Sequence, residues 1–405
     1  MNKYKTIFSS SRILLPACSA DPDAMRRWAV IACDQFTSEP AYWERVRKTA
    51  EGVASTYDFI MPEAYLGTPL EAEHAGEIAD SMASFDEADM RQIDGFVYLE
   101  RTLPDGSLRR GIVGQIDLEA YDYHPGSESP IRATEATVLE RIPPRCRIRA
   151  AASIELPHIL VLIDDGVELM EESGRLARQI AYDFDLMEGG GHARGYAIEG
   201  HDAALLTEKI AEYEASRGAL VYAMGDGNHS LAAARAHWEN VKRETGDMHH
   251  PARYALCEIT ALGEESLVFE PIYRILRHVD PDDVFAALAE ISGVGGQRVT
   301  VLSAGRSEEI AFAHPTHALT VGSLQDWIDA YIADHPGVTC DYIHGEESLR
   351  ELAAKEGTVG FLFDGMDKSA LFPYVAEHGT LPRKTFSMGE AAGKRYYLEC
   401  RRITR

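Results

Sequence analysis

Six apolar residues, Ala219-Leu220-Val221-Tyr222-Ala223-Met224, lead directly into Gly225-Asp226-Gly227-Asn228-His229-Ser230, and beyond them apolar residues recur at helical spacing. No other stretch limits the fold as strongly. A run of this length and composition suits a strand buried on both faces. Leu231, Ala234, Trp238 and Val241 then mark one stripe of a helix that covers a sheet. A strand that feeds a helix through a short glycine-bearing turn is the building unit of α/β architecture, and open α/β sheets place their ligands at that junction.

The chemistry of such a junction favours negative charge. The first amides of a helix lack intrahelical acceptors, and the peptide dipoles add roughly half a positive charge there, so a phosphate satisfies both. Gly225 and Gly227 allow close backbone approach or positive φ, while Asn228, His229 and Ser230 bring side-chain donors. Asp226 would repel a phosphate on its own. It makes sense as a ligand for a divalent cation that bridges to phosphate, or as a base for an attacking hydroxyl, with His229 as phosphate donor or acid. Helix capping is the competing reading, because Asp, Asn and Ser are ordinary helix starters. The turn is not a Walker A loop, and Ser230 stands where G-x-G-x-x-G needs its last glycine.

Strand-like and helix-like stretches interleave along all 405 residues, which predicts an α/β or mixed α+β protein of two or three domains. We divide it at 1–130, 131–270 and 271–405. "WAVIACDQ" reads as a buried strand, "SEPAYWERVRKTAEG" as a helix capped by Ser38, and "GFVYLERTLPDGSLRRGIVGQIDLEAYD" as two strands joined around Asp105-Gly106. "ELPHILVLIDD" reads as a strand, "VELMEESGRLARQIAYDF" and "HDAALLTEKIAEYEASRG" as helices. Past Pro271 come a helix over "DDVFAALAEIS", short strands near "RVTVLSAG", "EEIAFAH" and "HALTVG", and a helix over "SLQDWIDAYIADHP".

The 65 acidic residues exceed the 40 basic ones, for a formal charge of −25, and that field opposes a nucleic-acid partner. Cysteines 18, 33, 146, 257, 340 and 400 show no C-x-x-C or Cys/His ligand spacing, which suits reduced thiols in the cytoplasm and excludes a zinc site of the usual kind. No apolar run reaches the roughly 18 residues of a membrane span, and the N-terminus lacks a signal-peptide pattern, so no membrane partner is expected. A homo-oligomer stays open.

Other residues are candidates for the same site. Arg132, Thr134 and Glu135 form a compact trio, and with Arg141 and Arg145 they can grip an anion opposite residues 225–230; Glu135 is a reserve base. Asp34 ends the first strand-like run, where it could add a carboxylate for a metal. His192 sits in "GGGHARG", whose glycines permit a second anion nest. Arg274, near Tyr273 and Lys384, could add a cation, and His158 begins the "HILVLIDD" run. No H-E-x-x-H, G-x-S-x-G or EF-hand pattern occurs, and no zinc, haem or flavin is expected.

"ACDQFTSEPAYWE", "IRATEATVLERIPPR", "ELPHILVLIDD", "GGGHARGY", "GDGNHSLAAAR" and "FEPIYRIL" together resemble the bacterial and archaeal family called domain of unknown function 1015, over most of the chain. Many members carry D-G-H-H-R where this chain has Asp226-Gly227-Asn228-His229-Ser230, so the guanidinium of that pattern is missing here. The D-G-x-H element is also similar to one in free serine kinases and, more remotely, to the phosphate-binding turn of ParB-like and sulfiredoxin-like domains. The resemblance implies a central ParB/sulfiredoxin-like core over 131–270 that takes ATP or ADP with Mg2+. It also implies phosphoryl transfer to a small hydroxylated acceptor such as an amino acid. A non-catalytic metabolite sensor is the alternative, and a nuclease-like activity is disfavoured by the charge.

Overall fold

The computed structural model describes residues 5–36, 39–65, 68–164 and 166–405. The hairpin expected around Asp105-Gly106 is its longest strand pair. Met90–Thr102 and Leu108–Asp117 run antiparallel, and the turn closes by Leu103 N–H donating to Ser107 O at 2.8 Å. Gly106 takes φ +86°, a left-handed conformation that a side chain would strain.

A mixed sheet grows outward from this hairpin. Across it stand, in order, Gln179–Asp185, His192–Glu199, Met90–Thr102, Leu108–Asp117, Tyr254–Ala261, Leu160–Ile163, Tyr222–Asp226, Ile131–Arg132 and Tyr121–Asp122. Phe8–Ser9 and Ser11–Pro16 pair onto the hairpin strands. Leu160–Ile163 is parallel to Tyr254–Ala261 and antiparallel to Tyr222–Asp226.

Each face of the sheet is buried by a different set of segments. Helices Val167–Leu176, Gly200–Ser216 and Asn228–Thr245 cover one face, where Leu169, Leu206, Leu231, Ala234 and Trp238 pack on Ile112, Val161 and Tyr222. The expected stripe of the third helix is thus its buried side. Helices Pro22–Trp28 and Pro40–Ala50 serve the other face, with Trp28, Tyr42 and Trp43 against Val97, Leu99 and Leu256. Tyr396, Leu398 and Cys400, fully buried, join that second core from the far end of the chain. No helix among the described residues is long and apolar enough to cross a membrane.

Two compact units result: residues up to Leu267 together with Glu390–Arg405, and Val268–Gly389. Segments 1–130 and 131–270, read separately from the sequence, supply strands to one sheet. The segment after Gly389 leaves the second unit and completes the first. That second unit has its own sheet, ordered Arg306–Ala311, Arg298–Ser303, Thr358–Leu362, Phe269–Arg277, Thr339–His344, with Phe386–Met388 paired to Phe269–Arg277. Helices Pro281–Ile291 and Thr320–Asp334 cover one face and Glu346–Ala353 the other.

Several local expectations change. The helix begun at Val167 stops at Leu176, and Gln179–Asp185 is instead an edge strand paired to His192–Glu199. Gly195 makes this pairing feasible, since a Cβ there would stand 2.3 Å from the Tyr182 ring. The "WAVIACDQ" strand shrinks to Val30–Ile31, because helix Pro22–Trp28 runs up to it. The helix at Pro40 has Glu39 at its cap position; Ser38 and Thr37 lie outside the described residues. "HALTVG" forms no strand: helix Thr320–Asp334 has begun, and Ser323 Oγ accepts the amides of Thr316 and His317 at 3.1 Å.

Candidate functional site

Asp226 is aimed by a bulge. Strand Tyr222–Asp226 pairs with Leu160–Ile163 so that Met224 faces Val161 and Asp226 faces Leu160, with Gly225 as the extra residue between them. Strict alternation would turn Asp226 to the same side as Tyr222 and Met224, into the helix-covered core. The inserted residue rotates it to the opposite face, a recurrent use of bulges beside sites. A Cβ on Gly225 would meet Leu160 O and Leu162 Cγ at 3.1 Å, so the crossing is tight. Glu258 also faces Leu160, from the other flanking strand, so the two carboxylates point to one side in one row.

On that side Asp226 has cations for company. Lys394 Nζ lies 3.4 Å from its Oδ2, and Gly227 N–H donates to Oδ1 at 2.7 Å. Burial pushes the carboxyl pKa upward, but Lys394, His158 and the Gly227 amide outweigh it and hold the group below the usual carboxylate range. Asp226 keeps a third of its side-chain exposure, whereas Lys394 keeps 14%. Arg132 shares this face: it is buried, sits beside Ala223 in the adjoining strand, and donates from Nε to Ser129 O at 2.9 Å.

The turn itself is partly closed by its own groups. Gly227 takes φ +79°, and its carbonyl accepts from the Ser230 and Leu231 amides at 3.0 Å each. Asn228 Nδ2 donates to Thr137 Oγ1 at 2.9 Å and Glu135 O at 3.2 Å, and its Oδ1 accepts from Tyr121 at 3.1 Å. Asn228 therefore stitches segment 131–138 to the helix start. His229 Nε2 accepts the Val138 amide at 3.2 Å; an acceptor nitrogen carries no proton, which fixes the neutral tautomer with hydrogen on Nδ1. Thr134 anchors the same segment by donating to Met224 O at 2.7 Å. Glu135 meets the site through its carbonyl, and its side chain is exposed.

Of the other expected members, His192 lies elsewhere in the sheet. His192 is held between Asp183 and Asp185 at 2.7 Å each, five strand spacings, about 24 Å, across the sheet from Tyr222–Asp226. Arg274 belongs to the second unit, where it is fully buried and donates to Gln325 and to the carbonyls of Lys384 and Arg383 at 3.1, 2.9 and 2.6 Å. Arg145 lies on helix Ile142–Ala151 and donates to Arg141 O at 3.3 Å. Asp34 opens the short turn Asp34–Phe36, and its side chain lies outside what the structure describes. Among the described residues, no three His, Cys, Asp or Glu side chains converge on a metal position.

Sequence reasoning misses Lys394 and its neighbour Arg395. They arrive from the far end of the chain in a segment with no motif, so no linear signal links them to residues 225–230.

A family model described as "Protein of unknown function (DUF1015)" matches residues 14–402. The chain belongs to the DUF1015 family. No curated protein matches this DUF1015 chain. Among solved structures it is similar to a free serine kinase in complex with AMP, at 12% identity and TM-score 0.37, over 72% of this chain and 90% of that one. A conserved hypothetical protein from Pyrococcus furiosus aligns at 12% identity and TM-score 0.34, over 70% and 90%. SbnI from Staphylococcus aureus, with a C-terminal truncation, aligns at 9% and 0.36, over 67% and 84%. Likenesses of this size carry no activity across to the DUF1015 protein.

Proposed function

We propose that the Asp226–Lys394 junction binds the phosphate of a small phosphorylated metabolite, with a nucleotide as the leading candidate. The observation that carries this reading is Lys394, 3.4 Å from Asp226 at the end of a central strand and the start of a helix. It supplies the cation that the missing family guanidinium would otherwise bring. An ammonium with three rotatable donors can leave a carboxylate for a phosphate.

As an enzyme, the protein would transfer a phosphoryl group to a small hydroxylated acceptor such as an amino acid. Asp226, held ionised, can accept a proton from that hydroxyl and cannot serve as the acid. Neutral His229 sits at the helix start and can donate from Nδ1, and Arg132, buried on the adjoining strand, offers a guanidinium for charge that develops in transfer. Mg2+ usually binds one or two carboxylates plus substrate phosphates. Asp226 alone fits that pattern for an ion that enters with the nucleotide, where it would offset phosphate charge.

A second reading, binding without turnover, is favoured by the closed turn: the side chains of Asn228 and His229 already have protein partners. One experiment separates the two. Thermal unfolding with ATP, ADP or AMP, each with and without Mg2+ and serine, should show protection of about 2.7 kcal/mol at a hundredfold excess over Kd. Asp226→Ala should abolish turnover while protection persists if the protein is an enzyme. Absence of protection by every nucleotide overturns the reading.

A further inference from the structure

Behind the Asp226 junction, on the same face of the sheet, lies a buried cluster with too much positive charge. Arg101 and Arg109 face each other directly in the antiparallel hairpin and are 0% and 5% exposed. Like charges opposed in this way repel. Arg109 pairs with Glu258 at 3.3 Å, but Arg395 claims the other oxygen of Glu258 at 2.7 Å and also pairs with Glu399 at 2.6 Å. Three guanidiniums thus share two carboxylates, and one of those carboxylates also accepts the Tyr182 hydroxyl at 2.5 Å.

The surplus falls on the hairpin pair. Arg101 Nε and Nη1 and Arg109 Nη2 are buried without a hydrogen-bond partner, while Arg109 Nε, Arg395 Nε and the two Glu258 oxygens meet one another as ion pairs without hydrogen-bond geometry. Buried polar groups are paired in nearly all proteins, so donors left like this call for an acceptor. Burial pushes the Arg101 pKa down to about 9, which shows how poorly its charge is compensated. The Tyr396 ring, 5.1 Å from the Arg101 guanidinium, gives partial relief only.

The remaining acceptors come from backbone. Arg101 Nη2 donates to Ala392 O at 3.1 Å, and Arg109 Nη1 donates to Gly393 O at 3.3 Å. These carbonyls belong to the short turn Ala391–Gly393, in which no residue is fully buried although the arginines beneath it are. Two neutral carbonyls therefore occupy the positions that oxygens of an oxyanion would take.

We propose that Arg101 and Arg109 form a phosphate-binding site covered by segment 391–394, which lifts to admit the anion. The paired guanidiniums would grip phosphate oxygens through the donors that now lack partners. This assignment does not depend on what Asp226 binds. The cover carries Lys394, however, so occupation of the arginine site would move the Asp226 partner as well.

The test uses the full chain and inorganic phosphate, against sodium chloride at equal ionic strength. Phosphate at 10 mM should raise Tm by several degrees, and Arg101→Met or Arg109→Met should at least halve that rise. Hydrogen exchange of the wild-type chain needs no variant: phosphate should speed exchange of the amides in segment 391–395 several-fold and slow it in 101–109. AMP in place of phosphate reports whether a nucleotide can deliver the group, seen as the same exchange pattern. A wild-type Tm unmoved by phosphate, or unchanged exchange in 391–395, overturns the proposal. So does a Tm rise that survives both arginine variants and disappears in Lys394→Met, since the phosphate would then sit at the Asp226 junction.

Discussion

Lys394 meets Asp226 at 3.4 Å while the very next residue, Arg395, meets Glu258 at 2.7 Å. The two carboxylates flank Leu160 in one row across the sheet, so a single tail segment is pinned at two adjacent points.

Replacing Lys394 by Met leaves Asp226 with His158 and the Gly227 amide as its remaining support. Stability should fall by about 1 kcal/mol, a figure discounted for the exposure Asp226 retains. Nucleotide affinity should fall about tenfold or more, as expected for a lost charge-assisted hydrogen bond. Asp226→Asn in the same chain should restore stability but not affinity. A double-mutant cycle in urea, with titration of each variant, measures both.

Gly227 and Gly225 carry the geometry of the junction. Gly227→Ala places a side chain at φ +79°, with Ile159 Cα only 3.0 Å from the new Cβ. It should cost about 1–3 kcal/mol. Gly225→Ala meets backbone and Leu162 at 3.1 Å and should cost about 1 kcal/mol or more. Because it disturbs the bulge, it should also weaken ligand protection more than its stability loss explains. Urea midpoints with and without ligand separate the two effects.

His237, on the helix that starts at Asn228, is pushed down to about 4 by burial, with Arg149 and His250 adding repulsion. Its unfolded-state value is about 6.5. The unfolded chain therefore binds this proton first as pH falls, and stability declines from pH 6.5 down to 4, while above 6.5 the group contributes nothing further. Asp226, with its folded value depressed, adds stability that is present above about pH 4 and lost below it. His237→Gln should flatten the upper part of this profile by about 1–2 kcal/mol, allowing for its partial exposure. Urea midpoints at pH 4.5 and 7.5 give the difference.

Glu155 joins the last strand to the main sheet. It pairs with Arg149 and with Arg401 at 2.7 Å, and accepts the Leu256 amide at 2.8 Å, all with little exposure. Burial raises its pKa, but the two guanidiniums bring it below the ordinary value. Glu155→Ala should cost about 3–5 kcal/mol, since it strands two buried cations. Chemical denaturation at neutral pH checks it, and Glu155→Gln should be milder because an amide still accepts from Leu256.

Cues that act over a few residues make the junction legible in sequence. Six apolar residues, a glycine-bearing turn, and Leu231, Ala234 and Trp238 at helical spacing are enough to place a strand, a turn and a covered helix. The Asp105-Gly106 hairpin is readable for the same reason. Register is not local, so nothing in the run Met224-Gly225-Asp226 announces a bulge that turns the carboxylate to the other face. The strand Gln179–Asp185 hides inside a helical-looking segment because its partner, beyond the glycines 189–191, decides its state. Lys394 is invisible for a further reason: the whole second unit, Val268–Gly389, separates it in sequence from Asp226. His192 attracts notice for its glycine-rich setting, but the sheet order that puts it five strands from Asp226 is no more local than register is.

The return of segment 390–405 to the first unit has a consequence for how the protein is made. A ribosome releases residues in order, so the sheet, its helices and the whole second unit must emerge before the lysine that completes the junction. A nascent chain halted before residue 394 lacks the ammonium that meets Asp226, so that ion pair forms only after every residue of the second unit has been made.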